Sequence, residues 1–256
     1  MNTVRNILAI AGKELRSYFS SPIAYIIIGF FLLPFGVFFY LYLREFLKQS
    51  MGAGQFGGAL NINQQVIRYV LQNASVIILF IMPMITMRTY SEEKRSGTIE
   101  LLLTSPVTDA EIILGKFLGA LGLYVVMLAV TLVYMAILFI YGNPEWKPLL
   151  AAYLGLLLMG GAFIALGLMI SSTTNNQIVA GVISFVVFLL LWIVGWFGDS
   201  AGPWMGPLTS WLSITEHFDD FSKGIIDTKH VLYYVSLITF GLFLTAKSVD
   251  TERWRG

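Results

Sequence analysis

Charge is scarce in this sequence: Asp, Glu, Lys and Arg make up 12% of its 256 residues, against about 25% in ordinary soluble domains. A chain so poor in charge cannot cover a globular surface with solvated groups, and its 57% hydrophobic content and mean hydropathy of +0.76 place it in a bilayer. Cysteine is absent, so no disulfide or thiol indicates a redox compartment. The 16 basic residues barely exceed the 15 acidic ones, which excludes the basic surplus of a nucleic-acid partner.

What is present is a series of long apolar runs. A hydrocarbon core about 30 Å thick needs roughly 20 residues of helix. That yardstick predicts six spans, Ile23–Leu43, Ala74–Met87, Ile112–Tyr141, Leu149–Ile170, Ile178–Phe197 and Val231–Ala246. The helical pattern extends the second span back through Val66, Tyr69, Val70 and Asn73, and the third is long enough to tilt or protrude. The first run lacks an A-x-A-like exit, so it reads as a retained span rather than a cleaved signal. The expected fold class is an all-α polytopic membrane protein in one domain over residues 1–256. It comprises an amphipathic interfacial segment at 1–22, a cytoplasmic loop at 88–111 and an extracytoplasmic segment at 198–229.

Basic residues set the expected orientation. With the N-terminus inside, Arg5, Lys13, Arg16, Arg88, Lys94, Arg95, Lys116, Lys247, Arg253 and Arg255 fall inside, and Arg44, Lys48, Arg68, Lys147, Lys223 and Lys229 outside. Ten against six favours both termini in the cytoplasm. Trp192, Trp196, Trp204 and Trp211 gather where the fifth span is expected to leave the membrane. Beyond the first span, Met51–Ala59 is rich in glycine. Ser213 and Glu216 form a capping-box pattern opening a short helix with Phe218, Phe221 and Ile225 on one side, expected at the outer interface. Glu216, His217, Asp219 and Asp220 read as a solvated acidic face, without a zinc-binding spacing.

Three features bear on function. At 100° per residue, Val4, Ile7, Leu8, Ala11, Leu15, Tyr18 and Phe19 share one arc, with Arg5, Lys13 and Arg16 outside it. This predicts a helix lying in the membrane surface, its basic residues meeting lipid phosphates, with Pro22 marking the bend into the first span. Between the second and third spans, Arg88–Glu111 concentrates charge and then offers a short amphipathic stretch, Thr98–Ser105, bracketed by Gly97 and Pro106. Thr108 and Glu111 form a capping box that starts the third span.

The third feature is an absence. The predicted span cores contain no Asp, Glu, Arg or His, and their one lysine, Lys116, sits near the cytoplasmic end of the third. A charge at a helix centre is disfavoured by roughly 2.5–3.5 kcal/mol on insertion scales, so ion-coupled pumps that keep one use it. Energy is therefore expected from a partner. The chain has no GxxxxGK[ST] phosphate loop, because Gly12-Lys13 continues with Glu14 and Gly115-Lys116 with Phe117. Hydroxyl residues in the spans lack a histidine or carboxylate partner, so no catalytic site and no metal site are expected. Pro34 and Pro83 are possible kinks, and Gly115 with Gly119, like the glycines of the fourth span, reads as close helix packing.

The residues resemble the permeases of the second, export-type class of ABC transporters, and within them the branch associated with gliding motility. The resemblance runs from Gly12-Lys-Glu-Leu-Arg-Ser-Tyr-Phe-Ser-Ser-Pro-Ile-Ala-Tyr25 through Arg88–Lys116, with its Glu-Lys-Arg-Ser-Gly-Thr-Ile-Glu-Leu-Leu centre. It continues through Asn176–Ala180 to the segment from Glu216 to Lys229. It implies that the N-terminal helix is a connecting or elbow helix, with Arg5, Lys13, Glu14 and Arg16 flanking a coupling helix that docks on an ATPase. Gly97, Thr98, Glu100, Leu101, Leu102 and Pro106 would make that contact, and Glu92, Glu93, Lys94 and Arg95 lead into it. The implied assembly is two permease subunits, identical or paralogous, with two ATPase subunits that bind the ATP and magnesium. One paralogue would carry a large extracytoplasmic domain, and the whole would sit in a bacterial inner membrane. The resemblance implies export driven by ATP or, alternatively, a scaffold passing force to envelope partners without moving solute.

Overall fold

A computed structural model describes residues 3–53, 61–99, 107–197 and 202–253. All regular structure among them is helical. Helix α1 covers Thr3–Ser20 and α2 Pro22–Ala53. A π-helical turn at Asn63–Ile67 leads into α3, Arg68–Thr86, and α4 is the short helix Ser91–Ser96. Then follow α5, Asp109–Tyr141; α6, Trp146–Ser172; α7, Gln177–Ile193, extended by a 3₁₀ turn to Phe197; α8, Gly202–Leu212; α9, Ile214–Ser222; and α10, Thr228–Arg253.

Among the described residues, six helices are long and apolar enough to cross a membrane: Pro22–Met51, Asn63–Ser96, Asp109–Tyr141, Trp146–Ser172, Gln177–Phe197 and Thr228–Thr251. Their burial orders them within the bundle. The apolar window of α6 is 72% buried and that of the second span 67%, whereas α7 reaches 17%. Helices α3 and α6 therefore form the centre, and α2, α7 and α10 the rim. The rim faces are apolar: Tyr25, Ile26, Phe30, Leu33 and Val37 on α2 and Ile178, Val182, Val186 and Leu190 on α7 are exposed. Continuous apolar surface of this kind is sustained by lipid or by another helix, not by water.

Small residues give α6 its central place. A β-carbon added at Gly160 would stand 2.2 Å from the Tyr124 ring, and one at Gly167 2.3 Å from the Thr86 hydroxyl. Neighbouring helices thus approach the α6 backbone directly. The Tyr124 hydroxyl donates to the Leu156 carbonyl at 2.7 Å, so this close approach also satisfies a buried polar group.

The local start signals behave as expected. Pro22 opens α2 after a bend at Ser21, whose hydroxyl accepts from the Ile23 N–H at 3.3 Å. Both halves of the Thr108–Glu111 capping box form. Pro34 and Pro83 lie inside continuous helices. At about 1.5 Å per residue, the 33 residues of α5 span roughly 50 Å, more than a hydrocarbon core about 30 Å thick requires, and α1 packs on its N-terminal turns.

On helix α1, Val4 and Leu8 of the expected arc are exposed, while Ile7, Ile10, Glu14 and Leu15 turn to α5. Two expectations need correction. Helix α9 ends at Ser222, so Ile225 lies beyond it and is exposed, and Phe218 and Phe221 are buried against Gly155 of α6. The acidic segment is solvated only in part: Glu216 is exposed, but His217 is buried, Asp219 meets Arg68 at 3.1 Å and Asp220 meets His230 at 2.9 Å. Periodicity located these side chains on a helix but could not show that α6 presents glycine where they dock.

Candidate functional site at the junction of α1, α4 and α5

Glycine spacing builds the site. Gly115 and Gly119 lie one turn apart on α5, and β-carbons placed there would come within 2.6 Å of the Ile10 and Glu14 side chains. Helix α1 therefore lies directly on the α5 backbone, with Glu14 brought to the level of Lys116. The Lys116 ammonium is 2.9 Å from Glu14 Oε1, 2.8 Å from Glu93 Oε1 and 3.0 Å from the Thr89 carbonyl oxygen. Its three donors thus meet three acceptors from two other segments. The Tyr90 ring lies 5.1 Å from the same nitrogen.

Burial makes this arrangement consequential. The Lys116 side chain is 1% exposed, and those of Glu14 and Glu93 are 14% and 17% exposed. A buried charge deprived of its partner costs about 3–5 kcal/mol, whereas an exposed pair contributes little. Lys13, mostly exposed, stands 4.0 Å from Glu93, so two ammonium groups offset two carboxylates. Arg88 pairs with Glu92 at 3.0 Å one helical turn away.

Hydrogen bonds from elsewhere hold α4 in register. The Ser171 hydroxyl, at the end of α6, accepts the N–H groups of Tyr90 and Ser91 at 3.1 Å and donates to the Met87 carbonyl at 3.1 Å. On α1, Tyr18 donates its hydroxyl to the Ile85 carbonyl at 3.0 Å, and complete burial pushes its phenol up to about 12. Asn6 reaches Glu111 at 3.3 Å. Around this junction lies a cavity of about 130 Å³ lined by charged groups of α1, α4 and the turn before α4, among them Lys13, Glu14, Arg88 and Glu93.

The residues expected to lead into the ATPase contact divide between environments. Glu93 and Glu14 join the buried knot, Glu92 pairs on the surface with Arg88, and Arg95 lines a second, open concavity with Thr173–Ile178. Arg5, Lys13 and Arg16 are exposed on α1. The acidic residues of α4 occupy its first turn and Lys94 and Arg95 its last, matching the helix dipole. Gly97 closes α4 with φ of +70°, a conformation that favours glycine. Thr98 follows it, its hydroxyl 2.9 Å from that of Ser96. Glu100, Leu101, Leu102 and Pro106, and most of the expected helix over Thr98–Ser105, lie outside the described residues, as does most of Met51–Ala59.

Sequence reasoning missed the partners of Lys116 and the role of Ser171, a residue it did not single out. A lone lysine between two glycines one turn apart was the available signal, with Glu14 on a neighbouring amphipathic helix as its acid. The shared ammonium ties together α1, the approach to α4 and α5, and Ser171 adds α6. Among the described residues, no His/Asp/Glu cluster has the geometry of a metal site.

Comparison with known proteins agrees with this architecture. A family model described as "ABC-2 family transporter protein" matches residues 8–245. A protein of Escherichia coli K12, "Probable multidrug ABC transporter permease YbhR", is 30% identical over 145 residues, covering 55% of this chain and 38% of that protein. Its counterpart in Escherichia coli O157:H7 matches to the same extent. The matched region thus spans well under half the length of these relatives.

Proposed function

We propose, from the premise that the chain belongs to the ABC-2 transporter family, that it is the membrane permease subunit of an ATP-driven exporter and receives its power through the junction around Lys116. The observation carrying this reading is the ammonium shared between Glu14 of α1 and Glu93 of α4. A partner ATPase pressing on residues 98–106 would push α4. To move alone, α4 would have to break a buried ion pair and the two Ser171 hydrogen bonds. Moving α1 and α5 with it avoids both losses, so the push is delivered to the spans as one displacement.

In this reading the junction end faces the cytoplasm, and the assembly contains two permease copies or paralogues with two ATPase subunits in a bacterial inner membrane. Glu100, Leu101, Leu102 and Pro106 would complete the docking surface opened by Gly97 and Thr98. The resemblance of Gly12–Tyr25 and Arg88–Lys116 to the branch associated with gliding motility supports placing the chain there. Transmission of force to an extracytoplasmic partner would use the same junction without solute movement.

The test is reconstitution with the ATPase that co-purifies with the chain. Glu93→Gln and a charge reversal at Glu100 should each leave membrane insertion intact and lower permease-stimulated ATP hydrolysis by about tenfold, the effect of losing about 1.4 kcal/mol of coupling. Undiminished stimulation in both variants, or failure of any ATPase to co-purify with the wild-type chain, would refute the reading.

A further inference from the structure

The sequence contains two histidines, and the fold presses them together at the end of the bundle remote from Lys116. His217 of α9 and His230 in the first turn of α10 have their Nδ1 atoms 2.6 Å apart, and both side chains are buried. The surroundings decide the remaining ring nitrogens. His217 Nε2 lies 3.0 Å from the Trp211 carbonyl oxygen, which can only accept, so that nitrogen carries a hydrogen.

His230 Nε2 lies 2.9 Å from Asp220 Oδ2. Burial acts to raise the Asp220 carboxyl, but hydrogen bonds from His230 and Lys223 outweigh it and hold the group below its usual range. Asp220 is therefore an accepting carboxylate, and His230 Nε2 also carries a hydrogen. With both Nε2 positions filled, the two Nδ1 atoms converge on one gap. No proton there leaves two lone pairs opposed, and two protons oppose two N–H groups on two cations. One proton makes a single N–H···N bond, and the resulting positive charge faces Asp220.

We propose that His217 and His230 form a single-proton clamp between α9 and α10, closed while one proton is shared and opened when acid supplies a second. From α8 the facing group is the Trp211 carbonyl. From α9 it is Asp220, with Glu216 on the wall of an adjoining cavity of about 350 Å³ that both rings line. From α10 the facing groups are His230, Lys229 and the rings of Tyr233 and Tyr234. Arg68 of α3 acts one step away, on Asp219.

Burial depresses the His217 imidazole, and the positive charges of His230 and Lys229 add to that effect, against the Trp211 bond and Asp220. Tyr233 stacks on His217 with centroids 3.7 Å apart. A second proton therefore separates like charges, breaks the stack and frees the helix that carries Phe218 and Phe221 into α6.

Because the chain has two histidines, ¹⁵N-histidine labelling of the full-length protein in lipid nanodiscs reports this pair alone. At about pH 7 the spectrum should show two protonated Nε2 atoms and one proton between the Nδ1 atoms. Through the region near pH 6.5 where a free histidine titrates, His217 should stay neutral. In more acid solution the His217 ring should take up the second proton, and amide protection over Trp211–Ser222, normalised for intrinsic exchange, should fall by about tenfold. His230→Asn should abolish the acid step in protection. His217 titrating near the ordinary value, or α9 protection unchanged by acid in the wild type, would overturn the clamp. So would displacement of the shared proton by equimolar Zn²⁺ at neutral pH, which would make the gap a metal site.

Discussion

Glu14 of α1 lies over Gly119 of α5 so closely that a β-carbon added to the glycine would stand 2.6 Å from that of the glutamate. This approach places the Glu14 carboxylate on Lys116, three residues earlier on α5, at 2.9 Å. Helix packing and ion pairing at the junction are thus one feature: the first sets the distance that the second needs.

Gly119→Leu should separate α1 from α5, lowering stability by about 1–3 kcal/mol, the usual range for overpacking, and weakening the Glu14–Lys116 bond. Gly122→Ala is the control, since its added carbon would meet Leu15 at 3.5 Å, an ordinary contact. Thermal unfolding of the purified chain in detergent should show the first variant melting earlier and the second near the wild type.

Lys116→Ala leaves Glu14 and Glu93 facing each other without their shared cation and should cost about 3–5 kcal/mol. Combining Lys116→Met with Glu14→Gln and Glu93→Gln removes the buried charges together and should recover most of that loss. Unfolding midpoints of the single and combined variants give the coupling directly. Recovered stability without recovered ATPase stimulation would separate the junction's structural role from its transmitting role.

Ser171→Ala removes the acceptor of the Tyr90 and Ser91 N–H groups, both at buried residues. An unsatisfied buried donor costs about 1–3 kcal/mol. The loss is local to the start of α4, so hydrogen exchange should accelerate over residues 87–96 while the centre of α6 keeps its protection. Uniform acceleration along the chain would contradict the arrangement.

Tyr18 gives a pH dependence of known sign. Its phenol titrates at 10.0 when unperturbed and at about 12 in the folded chain, because burial disfavours the charged form. A folded value above the unfolded one contributes stability that is present below pH 10 and lost as pH rises towards 12, by about 3 kcal/mol at most. Tyr18→Phe should flatten that part of the stability curve and weaken the protein at neutral pH through loss of the bond to Ile85. Denaturation midpoints at neutral and alkaline pH, compared between the two proteins, measure both effects.

Much of the architecture could be read from the residues. Six apolar runs, the break at Pro22 and the cap at Thr108 depend on side chains acting within a few residues of their own position. Helix α4 was less visible, since Ser91–Ser96 has too few apolar residues to show a period and is held by Ser171, about 80 residues away. The inward turn of Phe218 and Phe221 was hidden because the groove receiving them is made by Gly155 on another helix.

The sequence by itself determined that this chain partitions into a bilayer and where its apolar spans lie, because hydropathy and capping are local and nearly additive along the chain. Only the tertiary structure decided which charges meet. Lys116 and Glu14 are 102 residues apart in sequence, and His217 and His230 face each other from separate helices. A buried ion pair or a shared proton depends on distances of about 3 Å, set by the packing of whole helices and encoded in neither partner.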